Sequence, residues 1–274
     1  MSRIVEPLAD GLARVWDVSE VLVDTHTAYQ HLVIARTAQG VSLFCDNDRQ
    51  STEASQLVYH EALLMPALLL ARRLDRVLVI GSSEGVVCQL ALAAGALSVD
   101  HVDIDREAVE LCARYLPYGY SPADLAGPVR IHYTDGWDFV ARSSDRYDVI
   151  VVDLPDEHPG GAQHNRLYQV DFLLRCKEIL ADGGVVATQA GCPTLWRNGT
   201  LVQAWQRFHE VFEGVVYYGS DEQEWAFLCG TGEPLSDPVG GMVDRLPGLS
   251  YRPVTIDAEA LRGGTVAPRS VRVG

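Results

Sequence analysis

Five acidic residues of this 274-residue chain stand at or just past the ends of short apolar runs: Glu84, Asp103, Asp135, Asp153 and Asp156. Such runs suit buried strands of a parallel sheet, and these sheets bind ligands beyond the carboxyl ends of their strands. A single acid in such a position is more often a solvated surface residue. Their shared location at successive strand ends favours a common site, with Asp103 on ribose hydroxyls and Asp135 on an adenine amino group.

A glycine loop with an acid supports a nucleoside ligand. GSSEG at 81–85 follows the apolar run 77–80 and precedes a predicted helix at 86–94. Together with Asp103, about 20 positions past Gly81, this order is typical of a nucleotide-binding βαβ unit. Glu84 stands where a helix N-terminus would otherwise accept a phosphate, so it would repel pyrophosphate and attract a cation. We therefore predict a positively charged nucleoside of the S-adenosylmethionine type; the alternative is an ordinary turn with an exposed Glu84.

The remaining acids predict chemistry on an amine. Glu84, Asp153 and Asp156 would converge in one pocket, where repulsion and burial raise carboxyl pKa values until an ammonium binds. A protonated amine must lose a proton before it can attack, and Asp153, at its strand end, is the better base. Asp156 is better placed to orient the amine. A sulfonium leaves as a neutral thioether, so the reaction needs no general acid.

Composition narrows the possible partners. The formal net charge is −15, which argues against nucleic acid, whose phosphates need a basic face. The six cysteines are dispersed without a CxxC pair, and the histidines lack metal-ligand spacing, so we expect neither a disulfide framework nor a metal. No signal peptide or apolar run of about 18 residues appears, so we expect a cytoplasmic protein without a membrane partner.

The elements that must position these residues alternate along the chain. Strands are predicted near 77–80, 98–103, 129–133, 147–152 and 185–189, with helices at 86–94, 106–115, 170–180 and 201–212 and a final hairpin of 215–218 and 225–229. This order predicts an α/β fold, a Rossmann-like doubly wound sheet of the S-adenosylmethionine-dependent methyltransferase type with a closing antiparallel hairpin. Short β-rich runs at 21–23, 31–35 and 41–45 predict a small N-terminal antiparallel β domain.

The predicted domains are residues 1–50, a catalytic domain at 51–230 and an irregular tail at 231–274 packed on the catalytic domain or a partner. A helix is expected from Ser51 towards residue 70, kinked or broken at Pro66. Residues 157–166, which include His158 and His164, are expected to form a mobile lid. Residues 170–180 predict a helix stopped by glycines 183 and 184.

Several motifs together resemble the spermidine synthase (polyamine aminopropyltransferase) family. QST at 50–52 with YHEAL at 59–63 is similar to the family's QST…YHE-x-L signature, and VIGSSEG at 79–85 occupies the place of its VIGGGDGG loop. VDID at 102–105, DG at 135–136 and DLPD at 153–156 correspond to its VEID, GDG and D-S-S-D motifs. Residues 186–189 are similar to the strand that carries its glutamine.

The resemblance implies transfer of an aminopropyl group from decarboxylated S-adenosylmethionine to an amine, with release of methylthioadenosine, by a homodimer. It implies a nucleoside site made of Gln50, His60, Gly81, Glu84, Gly85, Asp103, Ile104, Asp135 and Gly136. The implied catalytic residues are Asp153 as base, Asp156 and Tyr59, and the implied acceptor contacts are Tyr59, Asp156 and Gln189.

The acceptor side departs from the family pattern. Ser55-Gln56 replaces the family's acidic pair, Ser220 stands where an acceptor-binding tyrosine is expected, and the lid is longer than usual. In the loop, serines replace two glycines and Glu84 replaces an aspartate. Two other hypotheses therefore stay open: transfer of a methyl or aminocarboxypropyl group from intact S-adenosylmethionine, and a nucleoside-binding protein without turnover. The absence of Lys and Arg from 77–88 favours the decarboxylated donor.

Overall fold

A computed structural model describes residues 2–157, 160–220, 222 and 224–273. The strands within these residues are β1 (Ser2–Ala9), β2 (Leu12–Val18), β3 (Glu20–His26), β4 (His31–Thr37), β5 (Gly40–Cys45), β6 (Asp48–Thr52), β7 (Arg76–Gly81), β8 (Ser98–Asp103), β9 (Val129–Tyr133), β10 (Tyr147–Asp153), β11 (Leu180–Gly191), β12 (Gly214–Gly219) and β13 (Ala226–Thr231). The helices are α1 (Gln56–Leu70), α2 (Val86–Ala93), α3 (Arg106–Tyr115), α4 (Gly136–Arg142), α5 (Val170–Glu178), α6 (Gly199–Val211), α7 (Pro238–Arg245), α8 (Ala258–Gly264) and α9 (Arg269–Arg272). Short 3₁₀ helices occur at Asp124–Ala126, Gln163–Tyr168 and Leu246–Gly248.

A seven-stranded sheet carries the strand-end acids, in the order β12-β13-β11-β10-β7-β8-β9. The pairs from β11 to β9 are parallel, whereas β13 runs antiparallel to both of its neighbours. This is the predicted Rossmann-like sheet with one reversed strand, and the fold class is confirmed. In the β10–β7 register Asp153 lies opposite Gly81, so the end of the catalytic strand faces the glycine loop.

Alternating residues of the central strands build a core on each face of this sheet. On β7, Val77 and Val79 pack on the face that carries α1 and α2, whereas Leu78 and Ile80 pack on the face that carries α5 and α6. Every residue of β10 is buried, as expected for a parallel strand covered on both faces. The carboxyl ends of β7, β8 and β10 are thereby held rigidly side by side.

The N-terminal region contains two sheets rather than one. The predicted runs lie in the four-stranded sheet β3-β4-β5-β6, but the hairpin β1–β2 was missed. Most of its residues are exposed, so its strands lack the clear alternation of buried and exposed positions that marks a strand. Trp16 and Val18 of β2 pack on Val33, Ala35 and Phe44 of the larger sheet.

The prediction that a helix begins at Ser51 is wrong. Ser51 and Thr52 end β6, where they pair with β5, and α1 begins at Gln56. Pro66 lies within α1, which continues to Leu70, so the helix does not break there, while a kink stays a prediction. Backbone pairing with an existing strand outweighs the helix-capping tendency of Ser and Thr at 51–52.

Predicted bounds also shift in the C-terminal half. Helix α5 ends at Glu178, and glycines 183 and 184 lie inside β11 instead of stopping the helix. The tail, which was expected to be irregular, contains α7, α8 and α9. Asp237 and Asp257 cap the first two of these helices through their side chains, a signal that sequence reading overlooked. The boundaries at residues 50 and 230 stay predictions.

All six cysteines are buried and unpaired. No helix in the described ranges is both long enough and apolar enough to cross a membrane.

Candidate active site

The glycine loop is locked against the end of β10. Gly81 has φ +81°, and a Cβ there would lie 2.1 Å from the carbonyl oxygen of Asp153. Ser82 also adopts a positive φ of 61°, and its backbone N–H donates to the same oxygen at 2.9 Å. This strained turn is the kind of backbone that a surrounding structure must hold in place. It joins the nucleoside loop directly to the strand that carries the predicted base.

Asp103 ends β8 at the bottom of the cavity described below. It is buried, and it accepts hydrogen bonds from the Ser83 hydroxyl at 2.7 Å and the Asp105 backbone N–H at 2.8 Å. Burial raises the pKa of Asp103 to about 6, with these hydrogen bonds opposing the shift. A carboxylate offers about four lone-pair positions. Asp103 therefore retains acceptor capacity for ribose hydroxyls after these two bonds.

Glu84 faces the cavity instead of solvent. Its side chain is buried, and its Oε1 lies 3.7 Å from Nε2 of His60, which is also buried. Burial raises the pKa of Glu84 and lowers that of His60. The interpretation of Glu84 as an exposed turn residue is therefore wrong. A carboxylate in this position gives the cavity wall a site for positive charge.

Asp153 lies at the end of β10 with its carboxylate held by Tyr59 of α1. The Tyr59 hydroxyl donates to Asp153 Oδ1 at 2.6 Å. Burial raises the pKa of Asp153; His60 and the Tyr59 hydrogen bond oppose this, and Glu84 adds to it. A base of raised pKa, oriented by one hydrogen bond and left with a second oxygen, is suited to accept a proton from an amine.

Asp156 lies beyond Asp153 and is held by a residue near the end of the neighbouring strand. Gln189 of β11 donates through Nε2 to Asp156 Oδ1 at 2.5 Å, and Arg197 Nη2 lies 3.9 Å from Oδ2. The His164 ring contacts the backbone oxygen of Asp156 at 2.9 Å. Burial raises the pKa of Asp156, while Gln189 and Arg197 oppose the shift.

Asp135 serves partly as a helix cap. Its Oδ1 accepts from the Trp137 backbone N–H at 2.9 Å at the start of α4, a helix that sequence reading missed. Its Oδ2 contacts the guanidinium of Arg166 and the side-chain amide of Gln163, at 3.3 Å. The oxygen expected to meet an adenine amino group is thus paired with residues of the predicted lid. That segment contains the 3₁₀ helix Gln163–Tyr168, whereas His158 lies outside the described residues.

These side chains surround one cavity of about 600 Å³. The predicted residues that line it are Gln50, Tyr59, Gly81, Glu84, Asp103, Ile104, Asp135, Gly136, Asp153, Asp156 and Gln189. His60 and Gly85 lie behind this lining: His60 beside Glu84, and Gly85 so close to Tyr120 that a Cβ would meet its ring at 2.3 Å.

Sequence reading gave no role to several polar or aromatic residues of the lining, among them Ser83, Arg166, Arg197 and Trp225. Ser83 was counted only as a lost glycine. Arg166 lies within the predicted lid and was given no role. Arg197 follows a strand end, but in an irregular segment without a motif that would have marked it.

Comparison with known proteins identifies the family. A family model described as the spermine/spermidine synthase domain matches residues 56–219. The polyamine aminopropyltransferase of Pseudomonas syringae pv. tomato is 32% identical over 208 residues, which is 74% of this chain and 71% of that protein. Polyamine aminopropyltransferase 2 of Caldanaerobacter subterraneus subsp. tengcongensis is 33% identical over 231 residues, which is 81% and 76% of the two chains.

A solved spermidine synthase, in complex with the transition-state analogue AdoDATO, has the same fold. It superposes with a TM-score of 0.88 over 99% of this chain and 94% of that one, at 19% identity. The family model, the curated relatives and the cavity with its strand-end acids point the same way. The chain belongs to the spermine/spermidine synthase family.

Proposed function

We propose that this protein transfers an aminopropyl group from decarboxylated S-adenosylmethionine to an amine acceptor. The observation that carries the proposal is the Tyr59–Asp153 pair in the same cavity as Glu84 and Asp103. One end of that cavity suits a cationic nucleoside, and the other offers a base and an ammonium-binding carboxylate. Membership of a family whose relatives are named polyamine aminopropyltransferases supports the same reaction.

The nucleoside would lie over the ends of β7, β8 and β9. Asp103 would accept the ribose hydroxyls, with Ile104 beside the base and Gln50 at the other wall of the cavity. Asp135 would exchange its contact with Arg166 for the adenine amino group. Glu84 would offset the positive charge of the sulfonium, because opposite charges in a partly dry cavity attract strongly. Gly81 and Gly136 line the cavity, so their backbone would lie near the ligand, whereas Gly85 packs on Tyr120 behind the lining.

The acceptor would lie between Asp153 and Asp156. Asp156, fixed by Gln189, would orient the protonated amine, and Asp153 would remove the proton while Tyr59 holds its carboxylate in place. The nitrogen lone pair then attacks the methylene carbon next to sulfur. The carbon–nitrogen bond forms as the carbon–sulfur bond breaks, and its electron pair returns to sulfur, which leaves as neutral methylthioadenosine. Positioning and deprotonation supply the catalysis.

The experiment that tests the proposal incubates the protein with each donor and a panel of amines and identifies the nucleoside product by mass spectrometry. Methylthioadenosine from the decarboxylated donor supports aminopropyl transfer. S-adenosylhomocysteine would mean methyl transfer and would overturn the proposal. No product with either donor, together with a rise in melting temperature on adding nucleoside, would leave a binding protein without turnover.

We further propose, from the family resemblance, that the protein is a homodimer and, from the sequence patterns, that it is cytoplasmic and acts without a metal. We also propose that the chain divides into an N-terminal β domain at 1–50, a catalytic domain at 51–230 and a C-terminal tail at 231–274. Light scattering after size-exclusion chromatography tests the dimer, and activity that survives a chelator tests the absence of a metal.

A further inference from the structure

Arg197 places a positive charge in the catalytic cavity, and a diamine acceptor, which is itself positively charged, has no group for it to bind. It lines the cavity from the segment between β11 and α6, with only 16% of its side chain exposed. Its guanidinium carbon lies 5.0 Å from the centre of the Trp225 ring, within cation–π distance. The nearest carboxylate oxygen, Asp156 Oδ2, is 3.9 Å away, which is beyond hydrogen-bond length.

The guanidinium of Arg197 differs from the other two that line this cavity. Arg49 donates to Glu224, and Arg166 donates to Asp135. The Arg197 guanidinium donates no hydrogen bond to any residue that the structure describes, although it carries five N–H donors. A largely buried cation is thus held by an aromatic ring, with no hydrogen bond from its guanidinium to a described residue. Such a group is suited to bind an anionic part of a ligand.

Asp156 and Arg197 present opposite charges side by side. Gln189 fixes one oxygen of Asp156, and the other oxygen faces Arg197 at 3.9 Å. A ligand with an ammonium and a carboxylate on one carbon could satisfy both, with the ammonium on the acid and the carboxylate on the guanidinium. A diamine would gain only the first contact and would meet repulsion from Arg197. An arginine beside the ammonium site therefore favours a zwitterionic ligand over a dicationic one.

We propose that the acceptor is an amino acid, whose ammonium lies against Asp156 and whose carboxylate is bound by Arg197; this rests on the proposed aminopropyl transfer. The nitrogen to be alkylated is the second amine, at the end of the side chain as in ornithine and lysine, and it faces Asp153. It gains the carbon–nitrogen bond and gives its proton to Asp153, while sulfur takes the electron pair of the broken carbon–sulfur bond. The products are an N-(3-aminopropyl) amino acid and methylthioadenosine.

The test uses pairs of acceptors that differ by one carboxylate: ornithine against putrescine, and lysine against cadaverine. With the decarboxylated donor, kcat/KM for the amino acid of each pair should exceed that for the diamine by at least about tenfold, because hydrogen bonds to charged groups are the stronger ones. In Arg197→Gln, kcat/KM for the amino acids should fall about 10–100-fold, through KM, while that for the diamines stays level or rises. Arg197→Lys should restore part of the preference.

Two controls separate a change in acceptor preference from a loss of folded protein or of positive charge. The ratio of kcat/KM within a pair does not depend on how much of a variant is folded. Arg142→Gln, which removes an equally charged but exposed side chain on α4, should leave the ratio unchanged.

Three outcomes would overturn the inference. Methylthioadenosine formed as readily with diamines as with amino acids would refute it while keeping the proposed aminopropyl transfer. An equal loss for both acceptors in Arg197→Gln would make the residue a structural support. If only intact S-adenosylmethionine gives product, the carboxylate that Arg197 binds would belong to the donor. That result would also refute the proposed donor.

Discussion

At the scale of single residues, burial raises the pKa of four carboxyl groups in one cavity: Glu84, Asp103, Asp153 and Asp156. Each is more costly to ionise than an exposed acid because desolvation penalises its charge. A cationic donor and a protonated amine would each relieve part of that cost on binding. Burial of these acids thus carries an electrostatic cost that the proposed substrates would reduce.

Asp153→Asn tests the base. The amide keeps the shape of the side chain and a hydrogen-bond acceptor for Tyr59 but cannot accept the proton of the amine. We expect kcat to fall about 10²–10⁴-fold, the range typical of a lost general base. Nucleoside affinity, measured by calorimetry, should change little.

Asp138→Asn, an equal change on the exposed face of α4, serves as the control and should keep wild-type kcat. Turnover near the wild-type rate in Asp153→Asn would remove Asp153 from its role as base.

Asp103 predicts a pH dependence of stability. Its folded pKa of about 6 lies above its ordinary value of 3.8, so the folded state holds the proton more tightly than the unfolded state. The resulting stabilisation is fully present below the unfolded pKa and is lost as the pH rises through about 6. Between about pH 4 and 6.5, the contribution of Asp103 to the melting temperature of the ligand-free protein should decrease as the pH rises. Asp103→Asn should remove that contribution, and an unchanged pH slope in the variant would contradict the assignment.

At the scale of elements, the ends of β7 and β10 form one rigid unit. Gly81 cannot carry a side chain because its φ is +81° and its Cβ would meet the Asp153 carbonyl oxygen. We expect Gly81→Ala to destabilise the fold by at least about 1–3 kcal/mol and to reduce turnover by moving Asp153. Urea unfolding and kcat measure the two effects.

Gly241→Ala is the matched control for this substitution. Gly241 lies within α7, and a Cβ there would meet no atom within 4 Å. It should stabilise the protein by about 0.5–1 kcal/mol because alanine is the better helix former. Equal effects of the two changes would show that the loop backbone has room to adapt.

At the scale of the whole molecule, one buried carboxylate ties the C-terminal tail to α1. Glu61 accepts from the Tyr251 hydroxyl at 2.5 Å, from the backbone N–H groups of Val254 at 2.8 Å and Thr255 at 2.7 Å, and from the Thr255 hydroxyl at 2.6 Å. Its side chain is fully buried. This contact places the tail over the same helix that carries Tyr59, so the tail and the catalytic residue share one support.

Glu61→Gln should therefore loosen the tail. An amide offers one oxygen where the carboxylate offers two, which leaves buried donors without a partner. We expect a loss of about 1–3 kcal/mol in the free energy of unfolding and faster proteolysis after residue 231. Glu259→Gln, an exposed change in α8, should have little effect, and a Glu61 variant as stable as the wild type would contradict this role.

Much of the fold could be predicted because its signals are local. The apolar runs of β8, β9 and β10 and the helical pattern of α3 lie close to their predicted bounds. Predictions failed where the structure depends on a distant pairing partner. The exposed hairpin β1–β2 was missed, Ser51 pairs with β5 instead of starting a helix, and the glycines at 183–184 lie within β11. Local pattern cannot show when pairing with a distant strand outweighs a residue's own preference.

The sequence by itself determined that Glu84, Asp103, Asp153 and Asp156 share one edge of a sheet, because parallel strands must bring their carboxyl ends together. Its motifs also identified the family. Only the tertiary structure decided that Arg197 stands beside Asp156 and that Glu61 holds the tail. Each contact joins segments far apart in the chain, and at least one partner of each pair lies in an irregular segment. No sequence periodicity predicts such a partner, so only the packing of the folded molecule determines it.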